Sequence, residues 1–429
     1  VDRSNGPEWL LVGNLGCEEE WAAAGRRGGA RPRTLSAPAR VTAAVAGTLL
    51  RAFAGPDDLL WTAEPVDPSC LAPVAGLPVP RLVSGSWRGL TGGRGRRGGV
   101  LAWGETSGVQ ALRERWGAGG ARAEGPPRRD LPGVAGLLWA LPRAVPEVAA
   151  RANDRSFALE IARREGWALP GACLVGSVEE LERRVPLLAR QARPATATGA
   201  WVAKAPLAAS GRHRLIGRSP EDVSRPEIRR HAEGLLRRFG GLVLEPWLPR
   251  LADFGATALV RSDGGVEVVS VHRLEVDRRG AFTGLELGPD GGAPEAMAPA
   301  ERTALARAVE VVGRALADLG YRGPFGVDSF RWRDAAGEVR FHPLCEINAR
   351  MTFGLVARAL AERVLGAGET PDGRSVALRF GRSIPGPEGE GAAERIVPLV
   401  ARRPPGAGAG PAAWLRIAPT SVAGPPGSG

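Results

Sequence analysis

Residues 323–350 constrain this chain more than any other stretch. GPFGVDSFRW and EVRFHPLCEIN read as two strands on either side of a turn at Gly337, and a strand places residues i and i+2 on the same face. Glu346 and Asn348 therefore project together, with Arg350 at the next alternate position. On the first strand Asp328 is the sole acid, sharing its face with Gly326 and Phe330. If the strands pair, Asp328, Glu346 and Asn348 form one oxygen-lined patch. Hard oxygen ligands on a rigid sheet suit Mg²⁺, which keeps several waters and bridges nucleotide phosphates. Arg350 would then face a transferred phosphoryl group, where a planar donor matches two oxygens. The same pattern also fits a surface ladder of ion pairs on a half-buried hairpin.

A second feature stands far upstream. Of the 57 lysines and arginines in the chain only Lys204 is a lysine. It ends a short apolar strand, GAWVAKAP (199–206), and precedes a Ser/Gly/Arg loop over 207–218. An ammonium is a compact point charge on a thin stem, and a guanidinium is a flat fork. A narrow slot beside phosphate oxygens favours the first shape.

The Ala/Gly/Pro/Arg bias, with two Met and one Tyr, reflects coding pressure, so composition carries less functional meaning than usual. The net charge of +11 raises the question of a polyanion partner. The arginines are spread among Asp and Glu, however, with one dense cluster at GGRGRRGG (92–99) and no interleaved aromatics of the kind single-strand binding uses. Nucleic acid is not the expected partner. No apolar run approaches the ~18 residues of a membrane span, and VDRSNGPEW contains no signal-peptide core, so a cytoplasmic location is expected. Cys17, Cys70, Cys173 and Cys345 are widely spaced, as are the four histidines, which argues against zinc and structural disulfides.

The chain of 429 residues divides into three parts. Residues 1–150 read as a parallel α/β domain, with strands in WLLVGN, DLLWTAE and GVLAWGE. CEEEWAAAGRR reads as a helix, and so does SGVQALRERWG, with Ser107 as its cap and Gly117 beyond its end. Residues 151–395 form the best specified part. Asp154 caps a helix over 155–165, CLV is a strand, and Ser177–Glu180 is a capping box opening a helix to about 191 that Pro186 kinks. Ser224–Glu227 is a second capping box for a helix over 226–239. GLVLEPW is a buried strand, and Asp263-Gly264-Gly265 closes a hairpin. Residues 299–319 form an amphipathic helix with Leu305, Ala308, Val311, Val312, Ala315 and Leu316 on its apolar face, and 352–365 is a final helix. Residues 396–429 contribute strands IVPLVA and AAWLRIA that close the preceding domain, then a tail expected to be disordered.

Over roughly 150–385 these motifs, in this order, resemble the ATP-grasp superfamily. WVAKAP with its Ser/Gly/Arg loop looks like the phosphate-binding lysine strand and its flexible cover, and LVLEPWL like the hinge strand that meets adenine. GVDSFRW and EINAR look like the two metal-binding strands, EINAR being the most specific of these motifs. The resemblance implies an N-terminal α/β lobe followed by a two-lobed ATP-grasp domain, α/β and α+β in class. It implies that Lys204 grips the α- and β-phosphates and that the Ser210-Gly211-Arg212 loop closes over the triphosphate. Glu245 would bond the adenine amino group, the backbone at Trp247 and Leu248 would read the ring edge, and Asp253 would take the ribose hydroxyls. Asp328, Glu346 and Asn348 would hold Mg²⁺, or Mn²⁺ in its place, and Arg350 would stabilise an acyl phosphate.

Two positions depart from the pattern. The first basic residue of the domain is Arg155, within NDR, and Gly326 stands where many members carry an arginine. His272 or Arg273 on the second hairpin offers a substitute cation, although a polar group satisfied within a strand explains His272 more simply. Cys345 alternates away from Glu346 and is expected in the core. The activity implied is an ADP-forming ligase that activates a carboxylate as an acyl phosphate and joins it to an amine, an amino acid or peptide being the favoured substrate. A nucleotide-binding protein or a kinase on the same scaffold is the alternative. Small-molecule substrates and a homodimer are the partners implied.

Overall fold

The computed structural model describes residues 8–24, 35–86, 90, 97–117, 128, 130–208, 211–277, 282–288, 294, 296–366, 374–385, 394–401 and 412–419. Ser210, most of the arginine cluster at 92–99 and the tail from 420 lie outside them. Among the described residues the strands form three sheets, one parallel and two antiparallel.

The parallel sheet has the order β3-β2-β1-β4 and comprises β1 (Glu8–Gly13), β2 (Leu59–Thr62), β3 (Arg81–Ser84) and β4 (Arg97–Ala102). Uninterrupted apolar runs such as LLWT belong in strands covered on both faces, and all four residues of β2 are buried. β1 leads through a short turn into α1 (Cys17–Ala24); α2 (Ala37–Gly47) follows it, and α4 (Gly133–Trp139) and α5 (Pro146–Ala152) come after β4. Asn14 ties that turn to the end of β4, its Nδ2 donating to the Gly104 carbonyl at 2.8 Å and its Oδ1 accepting the Gly104 N–H at 3.1 Å. α1 therefore begins at the carboxyl ends of the strands, the edge at which open α/β sheets bind ligands. The helix α3 (Ser107–Gly117) starts one residue earlier than its sequence suggests, because Thr106 Oγ1, not Ser107, accepts the capping bond from Val109 N–H at 3.3 Å.

The second sheet contains β5 (Cys173–Val175), β6 (Trp201–Lys204), β7 (Arg214–Gly217) and β8 (Leu242–Pro246), in the order β5-β8-β6-β7. The helices α7 (Val178–Gln191) and α8 (Pro226–Phe239) cover it, and Leu181, Val185, Trp201, Leu215, Leu235 and Leu244 share its core. β7 corrects the expectation of a loop throughout 207–218. Leu215 is buried, and β7 pairs with the lysine strand, Lys204 lying opposite Arg214. The Ser224 capping box does not form. Ser224 ends a 3₁₀ turn over Pro220–Ser224, and Arg225 precedes α8 without a side-chain cap. Ser177 does cap α7, accepting from Glu180 N–H at 3.1 Å, but the Glu180 carboxylate bonds Gly176 rather than Ser177.

The large sheet is antiparallel, in the order β13-β12-β9-β10-β11-β14-β16-β15. Its strands are β9 (Arg250–Val260), β10 (Val266–Val276), β11 (Phe282–Leu287), β12 (Gly323–Arg333), β13 (Val339–Asn348), β14 (Arg374–Gly381), β15 (Arg395–Val400) and β16 (Ala412–Pro419). The two closing strands thus continue the same sheet through β14. The helix α9 (Pro299–Asp318) buries Leu305, Ala308, Val309, Val312 and Leu316 against it, while Val311 and Ala315 are only partly covered. The helix α10 (Phe353–Leu365) follows β13. One continuous core joins this sheet to the parallel one, running through Leu11, Phe53, Leu138, Phe325 and Leu360. Among the described residues no helix is long and apolar enough to cross a membrane.

Candidate functional site

The hairpin of β12 and β13 pairs as its alternation demands. Asp328 lies opposite Glu346, and Gly326 opposite Asn348. Asn348 Nδ2 donates to Asp328 Oδ2 at 3.0 Å, and its Oδ1 accepts from Arg350 Nη2 at 2.8 Å. Burial, and then the facing Glu346 carboxylate, push Asp328 up to about 7. Two carboxylates face one another on adjacent strands, an arrangement that a cation between them would relieve.

The register breaks just beyond this pair. Asp328 matches Glu346 but Phe330 matches His342, so β13 spends four residues where β12 spends two. The bulge re-aims the side chains it contains. Cys345 is therefore turned to the same side as Phe330, half-buried against the small core cluster of Ala195, Leu248 and Phe330. Its Sγ lies 3.3 Å from Arg250 Nη2, and the charges of Lys204 and Glu245 act on it. Burial still raises its thiol above the ordinary value.

Across from the hairpin, Lys204 on β6 and Glu245 on β8 form an ion pair at 2.6 Å. Burial opposes the charge on Glu245, but the Lys204 ammonium outweighs it and holds the carboxyl below its usual range. The residues expected to meet phosphate and adenine separately are thus in contact. Trp247 is half-buried, its N–H bonding the Ala200 carbonyl at 2.8 Å and the Arg214 guanidinium lying 5.6 Å from its ring. Leu248 is buried with Ala195 and Phe330. Asp253 pairs with Arg250 at 2.6 Å, and Arg250 also covers the Phe330 ring at 4.0 Å. Asp253 lies opposite Phe330, which shares the face of Asp328, so both acids stand on the same side of the sheet. Gly211 adopts φ +67°, a left-handed conformation natural to glycine, just past the lysine strand.

Arg155, the first residue of α6 (Arg155–Arg164), joins the two halves. Its Nη1 donates to the Ala205 carbonyl at 2.6 Å, and its Nη2 meets Glu346 Oε1 at 2.9 Å. Asp154 fixes the start of α6 by accepting from Ser156 N–H at 2.7 Å. Gly326 itself brings no cation, and a Cβ there would stand 3.0 Å from the Thr352 methyl. His272 supplies none either. Its ring is wedged against Gly255 and Gly354, and burial lowers it to about 4, so it is neutral near pH 7.

Sequence reasoning passed over the first turn of α1. Glu18 Oε1 lies 2.8 Å from Arg350 Nε. Glu19 binds His213 Nε2 at 2.8 Å and also pairs with Arg238 of α8. No local signal marks these two acids, because their partners lie far along the chain.

Among the described residues no three His, Cys, Asp or Glu side chains form a metal cage. Asp328 and Glu346 supply two carboxylates and Asn348 an amide oxygen. One or two carboxylates is what Mg²⁺ takes when water and phosphate complete its shell, so the set fits that ion.

A parallel α/β lobe followed by two antiparallel sheets, with a lysine strand facing an acidic hairpin, defines a class of fold. The fold is the ATP-grasp fold. No family model and no curated protein matches the sequence. Among solved structures, the biotin carboxylase of Campylobacter jejuni superposes with a TM-score of 0.52 at 12% identity, over 97% of this chain and 88% of that one. The biotin carboxylase domain of Hydrogenobacter thermophilus 2-oxoglutarate carboxylase gives 0.51 at 14% identity, over 96% and 86%. The L-amino acid ligase of Bacillus licheniformis gives 0.47 at 13% identity, over 97% and 95%. At these identities the likeness to the two biotin carboxylases is one of fold.

Proposed function

We propose that this chain is an ATP- and Mg²⁺-dependent ligase that activates a carboxylate as an acyl phosphate and joins it to an amine. The observation that carries the reading is the span of Arg155 from Ala205 to Glu346. It ties the strand end of Lys204 to the Glu346 carboxylate that faces Asp328. A triphosphate between them meets an ammonium on one side and cation-holding carboxylates on the other. The two biotin carboxylase structures carry an ATP-type ligand and MgADP respectively, which favours a nucleotide in the corresponding cleft here.

Each residue then has a task. Lys204 neutralises phosphate oxygens, and Gly211 lets the following turn approach them. Glu245, released from Lys204 as phosphate takes its place, accepts from the adenine amino group beside the Trp247–Leu248 backbone, with Asp253 toward the ribose. Asp328, Glu346 and Asn348 hold Mg²⁺, which when bound screens the phosphate charge. The substrate carboxylate oxygen attacks the γ-phosphorus, the bond to the β,γ-bridging oxygen breaks, and ADP leaves with that electron pair. Arg350 steadies the acyl phosphate. The amine then adds to the acyl carbon, loses a proton and expels phosphate. No protein nucleophile is required; positioning and charge do the work.

The catalytic unit proposed runs over 151–395, with 1–150 completing the acceptor side. The test is ADP release from Mg-ATP over paired carboxylates and amines, with the product identified by mass. An amide product supports the ligase. A phosphoester would instead assign a kinase on this scaffold, and nucleotide binding without turnover of any pair would leave only a binding protein.

A further inference from the structure

Lys204 has a second cation directly across from it. Lys204 on β6 lies opposite Arg214 on β7, and opposite residues of an antiparallel pair project to the same face. Val202 lies opposite Glu245 and two residues before Lys204, so Lys204, Arg214 and Glu245 share that face. The other face carries Trp201, Ala203, Leu215 and Leu244 into the core of the second sheet. Arg214 is half-buried. Its guanidinium carbon lies 5.6 Å from the centre of the Trp247 ring, and a Cβ on Gly211 would stand 3.3 Å from that same carbon. The side chain thus reaches from the glycine turn after the lysine strand to the ring just beyond Glu245.

We propose that Arg214 binds the polyphosphate of the nucleotide beside Lys204, as a further cation supplied by β7. This rests on the nucleotide site of the ligase reading and adds a residue to it. Burial lowers the affinity of Arg214 for its proton, and the charges of Arg250 and Arg155 lower it further. Arg155 bonds the carbonyl of Ala205, one residue past Lys204, and Arg250 bonds Asp253. Three guanidiniums and one ammonium therefore converge, and like charges opposed on paired strands repel. A polyanion among them relieves that repulsion. The two opposed cations differ in shape: Lys204 offers a point charge, and Arg214 a planar fork that matches two phosphate oxygens. Stacking on Trp247 uses the face of a guanidinium, whereas phosphate is met in its plane, so one residue can serve both. Arg214 supplies the phosphate-side cation that Gly326 and His272 do not, from a strand in a segment whose sequence suggests only a flexible cover.

The probes are AMP and a non-hydrolysable ATP analogue, titrated by calorimetry into the full chain with Mg²⁺. The wild type is expected to bind the analogue more tightly than AMP. Arg214→Gln is expected to weaken the analogue about 10- to 100-fold, the range of a lost charge-assisted bond, and AMP by less than about threefold. Arg214→Met keeps the packing against Trp247; it is expected to behave in the same way and carries the test if the glutamine variant does not fold. Arg218→Gln removes an exposed arginine four residues further on and is expected to change neither affinity, which separates a contact from a loss of net charge. Equal weakening of both ligands by the Arg214 variants would mean that Arg214 only shapes the turn and the ring, and overturns the proposal. An unchanged affinity for the analogue, in a variant whose thermal unfolding matches wild type, overturns it as well. A wild type that does not prefer the analogue to AMP overturns it together with the nucleotide site. If the preference falls as expected while no carboxylate and amine yield a product, the ligase reading fails and the phosphate contact stands.

Discussion

Arg155 joins the lysine strand to the acidic hairpin with one guanidinium, bonding the Ala205 carbonyl at 2.6 Å and the Glu346 carboxylate at 2.9 Å. Burial alone would favour the neutral form of Arg155, but Glu346 outweighs it and keeps the side chain charged. Replacing it with Met leaves Glu346 without its cation beside Asp328. Breaking a buried pair typically costs about 3–5 kcal/mol, and the half-exposed position of Glu346 reduces that to roughly 1–3 kcal/mol. Denaturant unfolding of Arg155→Met reads this directly. Arg155→Lys should recover little, because one ammonium cannot reach both acceptors as a fork does.

Lys204→Ala should lower ADP release by about 10²–10³-fold, the usual cost of removing one group that stabilises developing charge. Lys204→Arg should fail to restore it, since the guanidinium must also fit against Glu245 at the place of a 2.6 Å ammonium contact. Turnover within threefold of wild type in the alanine variant would remove Lys204 from the site.

The metal-free protein should lose stability as pH rises from about 4 to about 7. Asp328 holds its proton up to about 7 in the folded chain, against 3.8 for its ordinary value. Between those values the folded state binds more protons than the unfolded one, so unfolding becomes easier with each step up in pH and levels off above 7. Melting curves across this window should show the slope in wild type and not in Asp328→Asn. Excess Mg²⁺ should flatten it in wild type, by competing with the proton for the same oxygens.

Glu19 fastens the second sheet to α1 through His213 and Arg238. Burial opposes its charge, but the hydrogen bond from His213 and the Arg238 charge prevail and lower its pKa. Glu19→Ala should loosen β7 first. Amide exchange at Leu215 and Ile216 should quicken by about five- to thirty-fold, corresponding to roughly 1–2 kcal/mol of local opening, while β12 is unaffected. Equal acceleration in both strands would mean that Glu19 supports the whole fold instead of the attachment of one sheet.

Much of this architecture is legible in the sequence wherever the determinants are local. The alternation in PFGVDSFRW and EVRFHPLCEIN places Asp328 opposite Glu346 because a two-residue period needs no distant information. The same alternation misplaces Cys345, since nothing in the residue pattern announces the bulge before it. β7 hides inside a Ser/Gly/Arg stretch because only four residues pair. The Ser224 capping box fails because Asp222, two residues earlier, draws the chain into a tighter turn by accepting from Arg218 N–H at 2.7 Å. β11 and β14 give short, ambiguous signals, and their place is set by neighbours far along the chain. Arg155 is visible as a departure from a motif, but its reach to Glu346 is not. Glu18 and Glu19 look like an ordinary acidic first turn, which stabilises any helix through its dipole.

The most direct measurement is a crystal structure with Mn²⁺ and a non-hydrolysable ATP analogue, with the metal located by its anomalous signal. The account predicts a peak about 2.1 Å from carboxylate oxygens of Asp328 and Glu346, with phosphate at Lys204 and the base beside Glu245 and Trp247. A nucleotide bound elsewhere, or triphosphate contacting Lys204 with no metal at the hairpin, would contradict it.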